Sequence, residues 1–156
     1  MPHDYLIIDG NNLVHHAPEL ARLVRADFAQ ARRRLVERLD ELAGASTYRE
    51  VHVVFDGGGT QAEFEVHSPS LRVLFCPSNM TADSVIERLV YSHPEPARIL
   101  VVTSDRGERD TVEAAGATSM SCDNFVDLLA RHLRRVAAQI KSGQKKPQGT
   151  LGDFFP

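Results

Sequence analysis

A chain of 156 residues with 42% hydrophobic and 25% charged residues is sized for one soluble domain with its own core, and its longest apolar runs are strand-length, which excludes a membrane-spanning helix. A net charge of −3 gives no global nucleic-acid footprint, and the two distant cysteines, Cys76 and Cys122, lacking CxxC spacing or a nearby His pair, read as small buried hydrophobes rather than zinc ligands or a disulfide. No basic segment leads into a long apolar one at the N-terminus, so a cytoplasmic location is expected.

Tyr5-Leu6-Ile7-Ile8 reads as a strand buried on both faces, and it runs into Asp9-Gly10-Asn11-Asn12. Asp9 then stands at the carboxyl end of a central parallel strand, where open α/β sheets place their ligands. Gly10 permits a sharp turn, and the amides of Asn11 and Asn12 can orient a neighbour. A polar turn is expected next, with His15 and His16 lining a loop; neighbouring histidines face different ways and make a poor pair of ligands for one metal. Asp27 reads as an N-cap, with Gln30 completing a capping box. The helix that follows has Phe28, Ala31, Leu35, Leu39 and Leu42 at helical spacing and ends at Gly44. Arg32, Arg33, Arg34 and Arg38 fall on its polar side as solvated residues able to steer RNA.

The second strand, Val51 to Phe55, ends in Asp56 and is followed by Gly57-Gly58-Gly59, read as a flexible loop because GxGxxG and a Walker lysine are both missing. Glu63 to His67 alternates polar and apolar as a hairpin arm, and Leu71 to Cys76 is a further strand closed by Pro77. Thr81 as N-cap puts Asp83 in the first turn of a helix, with Glu87 one turn on along the same face. Pro94 and Pro96 break the chain before a strand from Ile99 that ends in Thr103-Ser104-Asp105. A helix over 107–115, a short strand over 118–121 and a last helix complete a domain over 1–141. Asp123 is expected to cap that helix, whose core face is Phe125, Leu128, Leu129, Leu133, Val136 and Ile140. Strand-helix alternation of this kind predicts a doubly wound, mostly parallel sheet with helices on both faces.

Residues 131 to 146 carry Arg131, Arg134, Arg135, Lys141, Lys145 and Lys146 with no acid, a basic stripe beside an acidic body. From 142 to 156 the composition turns to Gly, Gln, Lys and Pro, the mark of a flexible tail. Gln148, Leu151, Phe154 and Phe155 within it have the spacing of a sliding-clamp-binding box, with folding back onto the domain as the alternative.

One strand-end Asp is a turn residue. Asp9, Asp56 and Asp105 on one sheet edge, with Asp83 beside them, make an acidic pocket whose repulsion is costly unless a cation neutralises it. Taken in order, Ile8-Asp9-Gly10-Asn11-Asn12, Phe55-Asp56, Thr81-Ala82-Asp83 and Thr103-Ser104-Asp105 resemble the NYN branch of the PIN-like nucleases, and most closely the YacP-like ribonucleases, over about residues 5 to 129. The resemblance implies a PIN-like three-layer α/β/α fold and a metal-dependent endoribonuclease acting on single-stranded or structured RNA, with a ribosome context for that RNA as one option; a sliding clamp as a further partner is suggested only by the spacing of the tail residues. It implies Asp9, Asp83 and Asp105 as ligands of Mg²⁺ or Mn²⁺, both hard cations suited to carboxylates. Asp56 becomes a further catalytic carboxylate, and Asn12, Ser104 and Glu87 position ligands or phosphate. Ser84 departs from the pattern, standing where the family commonly has a second acid. An inactive RNA-binding module of the same fold and a clamp-associated nuclease acting on DNA or RNA-DNA hybrids are the alternatives. A receiver or haloacid-type phosphatase is disfavoured because Asp9-Gly10-Asn11 lacks a paired acid and no strand ends in Lys.

Overall fold

Runs rich in Val, Ile and Leu pair into a six-stranded sheet, and helices cover both of its faces. The structure, a computed structural model, describes residues 3–141, so the tail with Gln148, Leu151, Phe154 and Phe155 lies outside the described residues. In chain order the elements are β1 (Tyr5–Asp9), α1 (Gly10–His16), α2 (Pro18–Ala26), α3 (Phe28–Ala45), β2 (Glu50–Phe55), β3 (Glu65–Ser68), β4 (Leu71–Phe75), α4 (Ala82–Ser92), β5 (Ile99–Val102), α5 (Arg106–Ala114), β6 (Thr118–Met120) and α6 (Cys122–Lys141).

The strand order is β3-β4-β2-β1-β5-β6, all parallel except β3, which forms the expected arm antiparallel to β4. From β1 the chain winds outward through β2 to β4, then crosses back to lay β5 and β6 on the other side of β1. The carboxyl ends of β1 and β5 therefore flank the point where the winding reverses, the place where such sheets bind ligands.

Side chains alternate across the sheet with the two-residue period of a strand. Leu6 and Ile8 of β1 join Val51, Val53, Leu100 and Val102 in a core layer with α1, α2, α3 and α6. Ile7 points the other way, into a second layer with Val54, Val101 and the apolar faces of α4 and α5. The result is a three-layer α/β/α domain. No helix among the described residues is long and apolar enough to cross a membrane.

Several local expectations are corrected. The chain does not make a polar turn after β1: α1 starts at Gly10, and His15 and His16 lie in its last turn rather than in a loop. The reason is capping, since Asp9 accepts from the Asn12 N–H and so satisfies one orphan donor of the new helix. Gly10 is also not a positive-φ turn residue. It is buried under Phe55, whose ring atoms lie 2.5 Å from where a Cβ would stand. Ser121, not Asp123, caps α6, its hydroxyl accepting from the Asn124 N–H at 3.2 Å. Ile140 is 53% exposed, because the last turns of α6 run past the layer that Phe125 and Leu129 bury. Arg38 pairs with Glu19 of α2 at 2.6 Å, and Arg32 turns back over the sheet edge instead of into solvent.

Gly10→Ala is expected to destabilise the fold by about 1–3 kcal/mol through overpacking against Phe55. Urea titration followed by circular dichroism checks this; an unchanged midpoint would refute the contact as the reason for glycine.

Candidate metal centre

At the carboxyl edge of the sheet, strand ends and helix starts are the same residues. Asp9 ends β1 and caps α1, and Asp105 follows β5 and caps α5, accepting from the Glu108 N–H at 3.0 Å. Thr81 caps α4 by accepting from the Ser84 N–H at 3.2 Å. Each helix thus turns its N-terminus, the positive end of its dipole, toward this edge.

Asp9 is only 6% exposed. Besides the Asn12 N–H at 3.3 Å on Oδ1, it accepts from the Thr103 hydroxyl on Oδ2 at 3.3 Å. The Asn12 side chain binds across the edge instead of into the pocket: its Oδ1 accepts from the Ser104 N–H at 2.7 Å and from the Cys122 thiol at 3.2 Å. The Ser104 hydroxyl accepts from the Cys122 N–H at 2.8 Å. Asn12 and Ser104 therefore lock α1, the end of β5 and the start of α6 together.

Three carboxylates converge: Asp9, Asp83 and Glu108 each bring an oxygen within 4.8 Å of the others. Glu108 is 2% exposed, and neither of its carboxylate oxygens meets a hydrogen-bond donor. Asp105 does not join this trio. It is exposed and occupied in capping α5, although its charge is felt at Asp83. Asp56 is outside the trio too: its Oδ1 accepts from the Ala82 N–H at 2.8 Å and so holds the first residue of α4. Glu87 and Ser84 are outside the trio as well; the Ser84 hydroxyl bonds that of Thr81 at the helix cap.

Glu108 is the functional candidate that sequence reasoning missed. Asp105-x-x-Glu108 has the spacing of a capping box, which explains the acid away as helix-end chemistry. The signal was its partner four residues on: Glu108 and Val112 share a face of α5, and Val112 is fully buried. An acid on a helix's core face requires a proton, a cation or a donor.

The electrostatics follow from that crowding. Burial raises the Glu108 pKa, and the neighbouring charges of Asp9 and Asp83 raise it further, to about 9. Burial likewise raises Asp9 above the usual carboxylate range, against the hydrogen bonds that favour its charged form. Asp83 is raised by burial first and then by repulsion from Asp105 and Asp56. Without a cation, the centre holds protons that water would have removed. The donor set is all oxygen, two of its atoms are buried without donors, and the spacing suits one ion bridging three carboxylates, so the residues fit a hard divalent cation.

The model of the YacP-like NYN domain matches residues 6–153. The chain belongs to that family. It is 31% identical over 153 residues to YacP of Bacillus subtilis (strain 168), covering 95% of this chain and 88% of that protein. Crystal structures of Rae1 (YacP) from Bacillus subtilis superpose with a TM-score of 0.70 at 30% identity, covering 90% of this chain and 83% of the other. A point mutant of the same protein gives 0.69 at 29%, covering 94% and 87%. In this YacP-like NYN domain the acidic cluster thus sits at the sheet's point of reversal.

A pH dependence follows. The folded Glu108 keeps its proton up to about 9, whereas the unfolded side chain loses it near 4.5. Between those values the folded state holds more protons, so metal-free stability falls as pH rises through that window. Glu108→Gln should therefore raise the metal-free melting temperature at pH 8. Added Mn²⁺ should stabilise the wild type increasingly as pH rises, since binding displaces protons, and should leave the variant unmoved. Thermal melts at pH 5 and 8 with and without Mn²⁺ test this; equal metal stabilisation of both proteins would remove Glu108 from the centre.

Proposed function

We propose that this chain is a metal-dependent endoribonuclease that hydrolyses RNA phosphodiester bonds at the carboxylate cluster, using Mg²⁺ or Mn²⁺. The observation that carries the reading is the buried trio Asp9, Asp83 and Glu108, with both Glu108 oxygens lacking a donor. A packed domain has no structural use for such repulsion, and membership of an NYN family supports a nuclease role for it.

Asp9, Asp83 and Glu108 would hold the ion. Bound there, it would supply charge to the phosphodiester oxygens and acidify a water for in-line attack. The protein's share is positioning. Thr103 and the Asn12 N–H favour the charged form of Asp9 against its burial and aim its oxygens, and Asp56 holds the start of α4 so that Asp83 faces the other two. Asp105, at the rim, extends the negative field felt by Asp83, and a further ligand role for it would need its carboxylate to turn from the cap of α5. The positive dipole ends of α4 and α5 favour a phosphate brought to this edge, partly offsetting its repulsion by the acids. Because Ser84 is occupied at the cap, its departure from the family's second acid leaves the trio whole.

Labelled RNA and matched single-stranded DNA incubated with Mn²⁺, Mg²⁺ or EDTA, alongside Asp9→Asn and Glu108→Gln, test the reading. Cleavage of RNA that needs metal and falls by a factor of a hundred or more in both variants is expected, on the order of 3 kcal/mol of lost transition-state stabilisation. RNA binding without cutting would favour a binding module of the same fold, and preferential cutting of DNA would move the substrate.

A further inference from the structure

Arg32 lies on α3, in the helical layer opposite the one that supplies Asp83 and Glu108. Its guanidinium sits 4.5 Å from the Phe28 ring centre and within 5.3 and 5.5 Å of Phe55 and Phe75, which stack on each other at 5.0 Å. From that seat Nη2 donates to the Asp56 carbonyl at 2.6 Å and Nη1 to the Gly57 carbonyl at 3.3 Å, while Nε is buried without a partner. The backbone comes so close that a Cβ at Gly58 would lie 2.5 Å from Nη1, at a residue whose φ of +87° already favours glycine. Asn11 grips the same residue on both sides, its Oδ1 accepting from the Asp56 N–H at 3.3 Å and its Nδ2 donating to the Asp56 carbonyl at 3.4 Å.

Asp56 is thus held at its backbone and uses its side chain on the Ala82 N–H, one residue before Asp83. We propose that Arg32 is a positioning residue for the metal centre: it sets Asp56, Asp56 sets the first turn of α4, and that turn sets how closely Asp83 approaches Asp9 and Glu108. The inference rests on the metal-centre reading above. A half-buried guanidinium whose two forward nitrogens both bind carbonyls of one loop, with its Nε shut off from water, is fixed more tightly than packing alone requires. Lysine cannot replace it, because one ammonium cannot span two carbonyls and lie flat on three rings.

Arg32→Met keeps the apolar stem and removes the fork. Two readouts in the full chain separate positioning from general support, with Leu133→Ala in α6 as a destabilised control. In metal-free protein, hydrogen exchange at the Ala82 amide should speed up at least tenfold in Arg32→Met while amides within β1 and β5 stay protected. Mn²⁺ affinity should fall by about ten- to a hundredfold, as when other groups that orient metal ligands are removed. Leu133→Ala should lose melting temperature without either change. Unaltered Ala82 exchange would overturn the link, and faster exchange with wild-type Mn²⁺ affinity would overturn the role at the centre. A wild-type protein that binds no Mn²⁺ would sink the metal-centre reading itself, and this inference with it.

Discussion

Burial of the Asp9 carboxylate at the end of the middle strand is the constraint on which this edge of the molecule depends. An ionised carboxylate without solvent needs donors or a counter-charge, and β1, flanked on both sides, cannot expose it. Two donors are close at hand, the Asn12 N–H and the Thr103 hydroxyl. They do not offset the approach of Asp83 and Glu108. The remaining imbalance is resolved by protons in the metal-free protein, which is why Glu108 holds its own so tightly.

The two helical layers divide the task. α4 and α5 carry the acids Asp83 and Glu108, while the opposite layer supplies the braces: Asn11 and Asn12 from α1, Arg32 from α3 and Cys122 at the start of α6. Contacts between the layers run around the ends of β1, β2 and β5, because the sheet separates the layers elsewhere. The geometry of the centre is therefore sensitive to small shifts of one layer against the other.

Much of this arrangement was legible in the residues. Strands announced themselves by their apolar runs, Asp27 and Thr81 by their capping position, and the sheet edge by repeated strand-end acids. Legibility failed where one residue type has two physical uses. Asp105 and Glu108 exchange prominence because a strand-end Asp can cap a helix and a capping-box Glu can face inward. Arg32 was indistinguishable from its neighbours on the polar side of α3, since only the fold reveals three aromatic rings and two carbonyls beneath it. Gly10 invited a turn reading, but the demand on it comes from Phe55, a residue far along the chain.

The central place of β1 has a kinetic consequence. Its first four residues pair on one side with a strand that the chain reaches only at Ile99, and Thr103 meets Asp9 across 94 residues of sequence. Loops of that length close late, after local helices and the nearer β1–β2 pairing have formed. Until then Asp9, Asp83 and Glu108 are three separate, well-hydrated acids with ordinary acidity and no shared claim on an ion. The crowding of the three acids is created only by this long-range pairing, so a partly folded chain carries the residues of the centre without the burial and repulsion that set their acidity.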